Sequence, residues 1–144
     1  MGISLKSIFN NEDIDSLIGN KCDANKNFKF KFLVLNPDSK YLEEKAKEEG
    51  GNPDEWKLDI QKTIIHLKRL KNINTSNIEI KMYDSLPIWR CIFMDNKCTY
   101  VSFYVYGSNG KKSPEFIISD TSNYNLYLPL RKTFDELWNN GIDA

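Results

Sequence analysis

The stretch Phe28-Lys-Phe-Lys-Phe-Leu-Val-Leu35 constrains the fold more than any other part of this sequence. Its first half alternates apolar and charged residues with the period of a strand, whose side chains point to opposite faces in turn. Its second half is continuously apolar, the pattern of a strand buried on both faces. Such a strand needs cover above and below. Asn36-Pro37-Asp38-Ser39 breaks the run, and Asp38 or Ser39 can cap a helix over residues 41–49 that Gly50-Gly51 ends. At the carboxyl end of a buried strand Asp38 could also touch a ligand. Asn52-Pro53-Asp54-Glu55 starts another helix, with a capping Asn, Pro at the first helical position and Glu three residues after the cap. Trp56, Ile60, Ile64, Leu67 and Leu70 follow on one helical stripe.

Upstream, Ile14, Leu17, Ile18 and Cys22 have helical spacing behind Asn11 as an N-cap. Downstream, Ile78, Ile80 and Met82 alternate with Glu79, Lys81 and Tyr83 as a second strand. After Pro87, residues 88–94 read as a third strand, Asp95-Asn96-Lys97 as a turn, and residues 99–106 as the strand that pairs back in a hairpin. Residues 107–113 have the composition of a flexible loop and residues 115–119 that of a last strand. Tyr127, Leu130, Phe134, Leu137 and Trp138 make a closing helix ended by Gly141. This order predicts an α/β fold, a mixed β-sheet flanked by helices. Residues 1–144 form one domain, long enough to bury a core without staples. Met1-Gly2-Ile3 leaves little room for a first strand, so an excised domain is expected.

Lysine plus arginine equals aspartate plus glutamate at 20 each. Zero net charge argues against coating nucleic acid or an anionic membrane, since both need a basic surplus. Neither is an expected partner, although Lys62, Lys68, Arg69 and Lys71 form a local basic cluster. Cys22, Cys91 and Cys98 are odd in number and have no metal-like spacing. With no signal peptide and no apolar run near bilayer length, a reducing compartment, the cytoplasm, is expected. A Gly-rich phosphate loop, Cys or His metal spacing and a Gly-x-Ser-x-Gly elbow are all missing, so no cofactor and no metal site is predicted.

The stretch Ile88-Trp-Arg-Cys-Ile-Phe-Met-Asp95 resembles the phospholipase D superfamily motif, His-x-Lys-x-x-x-x-Asp. Aligned on Asp95, the histidine position is Ile88 and the lysine position Arg90; the family's Gly-Ser pair falls on Ser102-Phe103 and its asparagine on Tyr106. Residues 78–83 and 30–38 also look like one half of that fold. The resemblance implies a half-domain that pairs with a second copy, so that two motifs meet at one cleft. Family chemistry uses one histidine as nucleophile and another as general acid. Ile88 can be neither, so the resemblance implies that no catalytic residue remains. The single histidine, His66, is followed by Lys68 at the family offset, but Ile73 stands where aspartate would follow, and His66 reads as a solvated helix residue near Asp59, Lys62 and Arg69.

The candidate ligand-binding residues are Arg90, Asp95, Ser102 and Tyr104. Arg90 could hold a phosphate through two parallel hydrogen bonds, or pair structurally with Asp95 or Asp84. Asp95 could sit in a site or form the hairpin turn. Alternation puts Tyr100, Ser102, Tyr104 and Tyr106 on one side of their strand and Val101, Phe103 and Val105 on the other. The tyrosine side is the expected solvent or interface face, for a base or a protein partner. The function expected is a non-catalytic binding or sensing module for a phosphate-bearing small molecule such as a nucleotide, acting as a homodimer or with a protein partner. Two alternatives stand beside it. One is a phosphodiesterase or nuclease with a non-standard site, the other a structural dimerisation or inhibitory domain.

Overall fold

The computed structural model describes residues 1–3, 5, 13–73, 77–95, 97–106, 113–119 and 126–144. Their order is α1 (Asp13–Ala24), β1 (Phe30–Leu35), α2 (Lys40–Glu48), α3 (Pro53–Ile73), β2 (Ile78–Tyr83), β3 (Trp89–Met94), β4 (Cys98–Phe103), β5 (Glu115–Ser119), α4 (Tyr127–Asn140) and β6 (Ile142–Asp143). The predicted mixed α/β architecture is present. Asn11 as a cap, Asn96 in the turn and residues 107–112 of the predicted loop lie outside the described residues.

β1 and β2 pair in parallel, Phe30 opposite Ile78 through Leu35 opposite Tyr83, with α2 and α3 as the crossover. A parallel pair requires such a long connection. Ser39 caps α2: its hydroxyl accepts from the Tyr41 N–H at 3.2 Å and donates to Asp84. Asp38, the other expected cap, instead receives Lys57 Nζ at 2.6 Å. Gly50, at φ 69°, takes the left-handed conformation that ends α2, and the Gly51 N–H returns to the Ala46 carbonyl at 2.8 Å. Asn52 caps α3 by accepting from the Asp54 N–H at 2.9 Å.

Two sheets are formed, β1-β2-β6 and the antiparallel meander β3-β4-β5. Residues 1–3 stitch them together. Gly2 bridges to Val34 in parallel, and the Leu35 N–H donates to the Ile3 carbonyl at 3.3 Å. On the other side Met1 exchanges a pair of hydrogen bonds with Cys91 of β3. The segment expected to be too short for a strand therefore lies between β1 and β3 and does a strand's work there.

The main core gathers Leu33, Val34 and Leu35 with Ile18, Ile60, Leu67 and Ile78, all buried. α3 packs against β1 and β2. α4 packs on β2 and also reaches the meander: Leu130 joins Cys91 and Val101, and Trp138 lies under the ammonium groups of Lys31 and Lys81. His66 is not simply solvated, because its Nε2 lies 2.9 Å from Asp15 Oδ1 and so ties α3 to α1. No described helix is long and apolar enough to cross a membrane.

Candidate binding face

The strand registers generate a grid on the face of β3-β4-β5 that points away from Cys91 and Val101. Arg90 stands opposite Ser102, and Ser102 opposite Glu115. Two positions along, Ile92 stands opposite Tyr100 and Tyr100 opposite Ile117. The third row is Met94, Cys98 and Ser119. Alternation puts all three rows on one side.

The first row is closed by charge. Arg90 on β3 and Glu115 on β5 form an ion pair, although a whole strand separates them. The small Ser102 between them leaves room for the bridge. Ser102 is consequently buried on an otherwise open face, and its hydroxyl finds no hydrogen-bond partner among the described residues. The acid that meets Arg90 is thus Glu115, where Asp95 or Asp84 was expected.

The second row is open. Ile92 is 42% exposed, Tyr100 39% and Ile117 67%. Ile88 and Met94 on the same face are exposed as well. On the α4 side of this sheet Cys91, Thr99 and Val101 are buried, so only one face of the meander is fully covered at its centre.

Tyr104 continues past the end of β4, its N–H donating to the Ile88 carbonyl at 3.0 Å. Its phenol accepts from the Ile3 N–H at 3.4 Å, and its ring lies 5.6 Å from Lys45 Nζ. Burial pushes the phenol up to about 12, against the lowering effect of the Ile3 contact and the Arg90 charge. The expectation that the whole tyrosine side faces solvent is corrected here. Tyr100 and Tyr106 are exposed, whereas Ser102 lies under an ion pair and Tyr104 is drawn inward against Ile3 and Lys45.

Asp95 is elsewhere. It occupies the β3-β4 turn at φ 52°, and its carbonyl accepts from the Tyr127 hydroxyl at 3.3 Å. From Arg90 it is five residues along an extended strand, roughly 16 Å at about 3.3 Å per residue. The four candidates thus divide: Arg90, Ser102 and Tyr104 share one end of the meander, and Asp95 lies at the other.

Three further residues belong to that shared end. Glu115 supplies the counter-charge. Lys45 is buried on α2, 2.8 Å from Glu48 and 3.6 Å from Glu49. The Tyr83 hydroxyl is buried with no hydrogen-bond partner among the described residues, and its burial raises its pKa well above the usual phenol value. Lys45 was legible in the helical spacing of Leu42, Lys45, Ala46 and Glu49, a charged residue on an apolar stripe.

Fold and face together define a mixed-sheet α/β domain with helices packed on β1-β2 and a partly bare meander. The chain matches, over residues 1–142, the family model described as a domain of unknown function, DUF5919, and it belongs to that family. No curated protein and no solved structure matches it.

Proposed function

We propose that this chain is a non-catalytic binding module whose working surface is the uncovered face of β3, β4 and β5. One observation carries the reading: Ile92, Tyr100 and Ile117 form a continuous apolar row across three strands, beside a closed Arg90–Glu115 row. A contiguous exposed apolar patch rimmed by polar groups is the usual mark of an interaction site. The absence of catalysis is part of the proposal. It rests on the resemblance to a phospholipase D half-domain, in which Ile88 occupies the histidine position and carries neither nucleophile nor proton.

The test uses an anilinonaphthalene sulfonate dye at low protein concentration. The folded wild type should enhance its fluorescence, and the double variant Ile92→Lys/Ile117→Lys should lose that enhancement while melting cooperatively. Dye fluorescence equal in the two folded proteins would end the proposal.

A second reading, phosphate binding at Arg90, is favoured by the unpartnered Ser102 hydroxyl beside the guanidinium. A phosphate there must displace Glu115, whose exposed carboxylate holds Arg90 only weakly in water. Titration with inorganic phosphate and a nucleotide should then show tighter binding to Glu115→Gln than to wild type. No binding to either protein would exclude this reading.

A further inference from the structure

We propose that the occupant of the open face is a second copy of this chain, packed sheet to sheet about a two-fold axis running along β4. The inference rests on the reading of that face as the working surface and goes on to name its partner.

The charge pattern selects the axis. β4 is the middle strand, with β3 and β5 on either side. A two-fold axis lying between two such sheets and parallel to β4 keeps every row level and exchanges β3 with β5. Arg90 of one copy then meets Glu115 of the other, and the reverse contact forms across the axis. The two ion pairs become one four-charge ring at one end of the interface. In the next row Ile92 meets Ile117 of the second copy, and Tyr100 on the axis meets its own equivalent. A two-fold axis perpendicular to the strands would instead lay the Arg90–Glu115 row against Met94, Cys98 and Ser119, and desolvate charges with no counter-charge opposite them. The surface is self-complementary for the first operator only.

Face-to-face sheets pack about 10 Å apart, which leaves room for the Ile and Tyr side chains to interdigitate. Three strands at about 4.8 Å spacing give a patch smaller than the roughly 800 Å² per partner of a standard stable interface. The dimer should therefore be weak, with a micromolar or higher dissociation constant. The exposed charge ring should make it salt-sensitive.

Charge exchange between two chains provides the test. Arg90→Glu and Glu115→Arg, made separately, each place like charges on every contact of the ring. Both should weaken self-association in sedimentation equilibrium by roughly tenfold or more. Mixed together, the two variants should associate about as well as wild type, because opposite charges then meet across both intermolecular contacts while each chain keeps a like-charge row of its own. Thermal melts confirm that each variant is folded. Failure of the mixture to associate, with wild type dimeric, overturns the axis. A wild type that stays monomeric to near-millimolar concentration overturns the second copy as occupant. In that case the dye measurement decides separately whether the open face itself survives as a binding surface.

Discussion

Met1 and Cys91 exchange two hydrogen bonds, the Met1 amine donating to the Cys91 carbonyl at 2.7 Å and the Cys91 N–H to the Met1 carbonyl at 3.0 Å. This contact is the seam between the two sheets, and it places an amine in the interior. Burial lowers that amine from 8.0 to about 6, a shift that the nearby Arg90 charge reinforces. The folded chain therefore holds fewer protons than the unfolded chain between those two values, and stability rises with pH across that window. Below about pH 6 both states carry the proton, and the full cost of burying the charge is felt. Two pH units correspond to about 2.7 kcal/mol. Urea midpoints at pH 5.5 and 8.5 measure the effect in a chain with a free Met1 amine. An N-terminally acetylated chain, which has no amine to titrate, should lose that part of the rise; an unchanged rise would refute the assignment.

The thiols on either side of the seam should differ sharply in reactivity. Cys91 is buried against Val101 and Leu130, and burial pushes its thiol up to about 11, even though the Met1 amine and Thr99 act to lower it. Cys22 is buried in the main core and its thiol is raised for the same reason. Cys98 is half-buried at the start of β4. Since the thiolate is the reactive form, an alkylating reagent at pH 8 should label Cys98 first and reach Cys91 only through opening of the fold. Peptide mapping after brief labelling reads this directly, and early modification of Cys91 would show that the seam is looser than its geometry.

These two contacts also show why some features were legible in the sequence and others were not. β1 was readable because six residues of changing pattern encode both its period and its double burial. Residues 1–3 were not, because three residues carry no measurable periodicity and their strand character comes entirely from Leu33, Leu35 and Cys91. β6 is two residues long and hidden behind the helix stop at Gly141 for the same reason. The candidate site was half readable. Arg90 and Asp95 are close in sequence, yet an extended strand carries them apart. Glu115, which does meet Arg90, is 25 positions away, and only the registers of two successive strand pairs bring it there. Ser102 and Tyr104 look exposed by alternation alone, because alternation says which side a residue faces and nothing about what lies over it.

His66 offers a test of a role that helical spacing alone could not reveal. Its Nε2 meets Asp15 Oδ1 at 2.9 Å across the α1-α3 contact, with both side chains partly exposed. Partly exposed pairs contribute little, so His66→Ala should cost about 0.5–1 kcal/mol by denaturant unfolding. His66→Asn/Asp15→Asn should cost no more than the sum of the single changes. A loss above about 3 kcal/mol would mean that His66 supports far more than one contact between helices.

Lys45 should be the costliest single polar residue to remove. Its side chain is 4% exposed, on the apolar stripe of α2 that also carries Leu42 and Ala46. Its ammonium group lies 2.8 Å from Glu48 and 3.6 Å from Glu49, and Glu49 is itself almost fully buried. The same group stands over the Tyr104 ring, the one aromatic of the candidate site that reaches inward to Ile3. Lys45→Met preserves the length and apolar stem but leaves Glu48 and Glu49 without their shared cation. Breaking a buried pair from one side costs about 3–5 kcal/mol, because the remaining charge keeps its desolvation penalty. Lys45→Met/Glu49→Gln removes one of the stranded charges and should recover a substantial part of that loss. Urea unfolding of the three proteins gives the comparison. If Lys45→Met is as stable as wild type, the ion cluster contributes nothing net and α2 is held by Leu42 and Ala46 alone. If it is strongly destabilised and the double variant recovers, the cluster is the polar clamp that fixes α2 beside Tyr104.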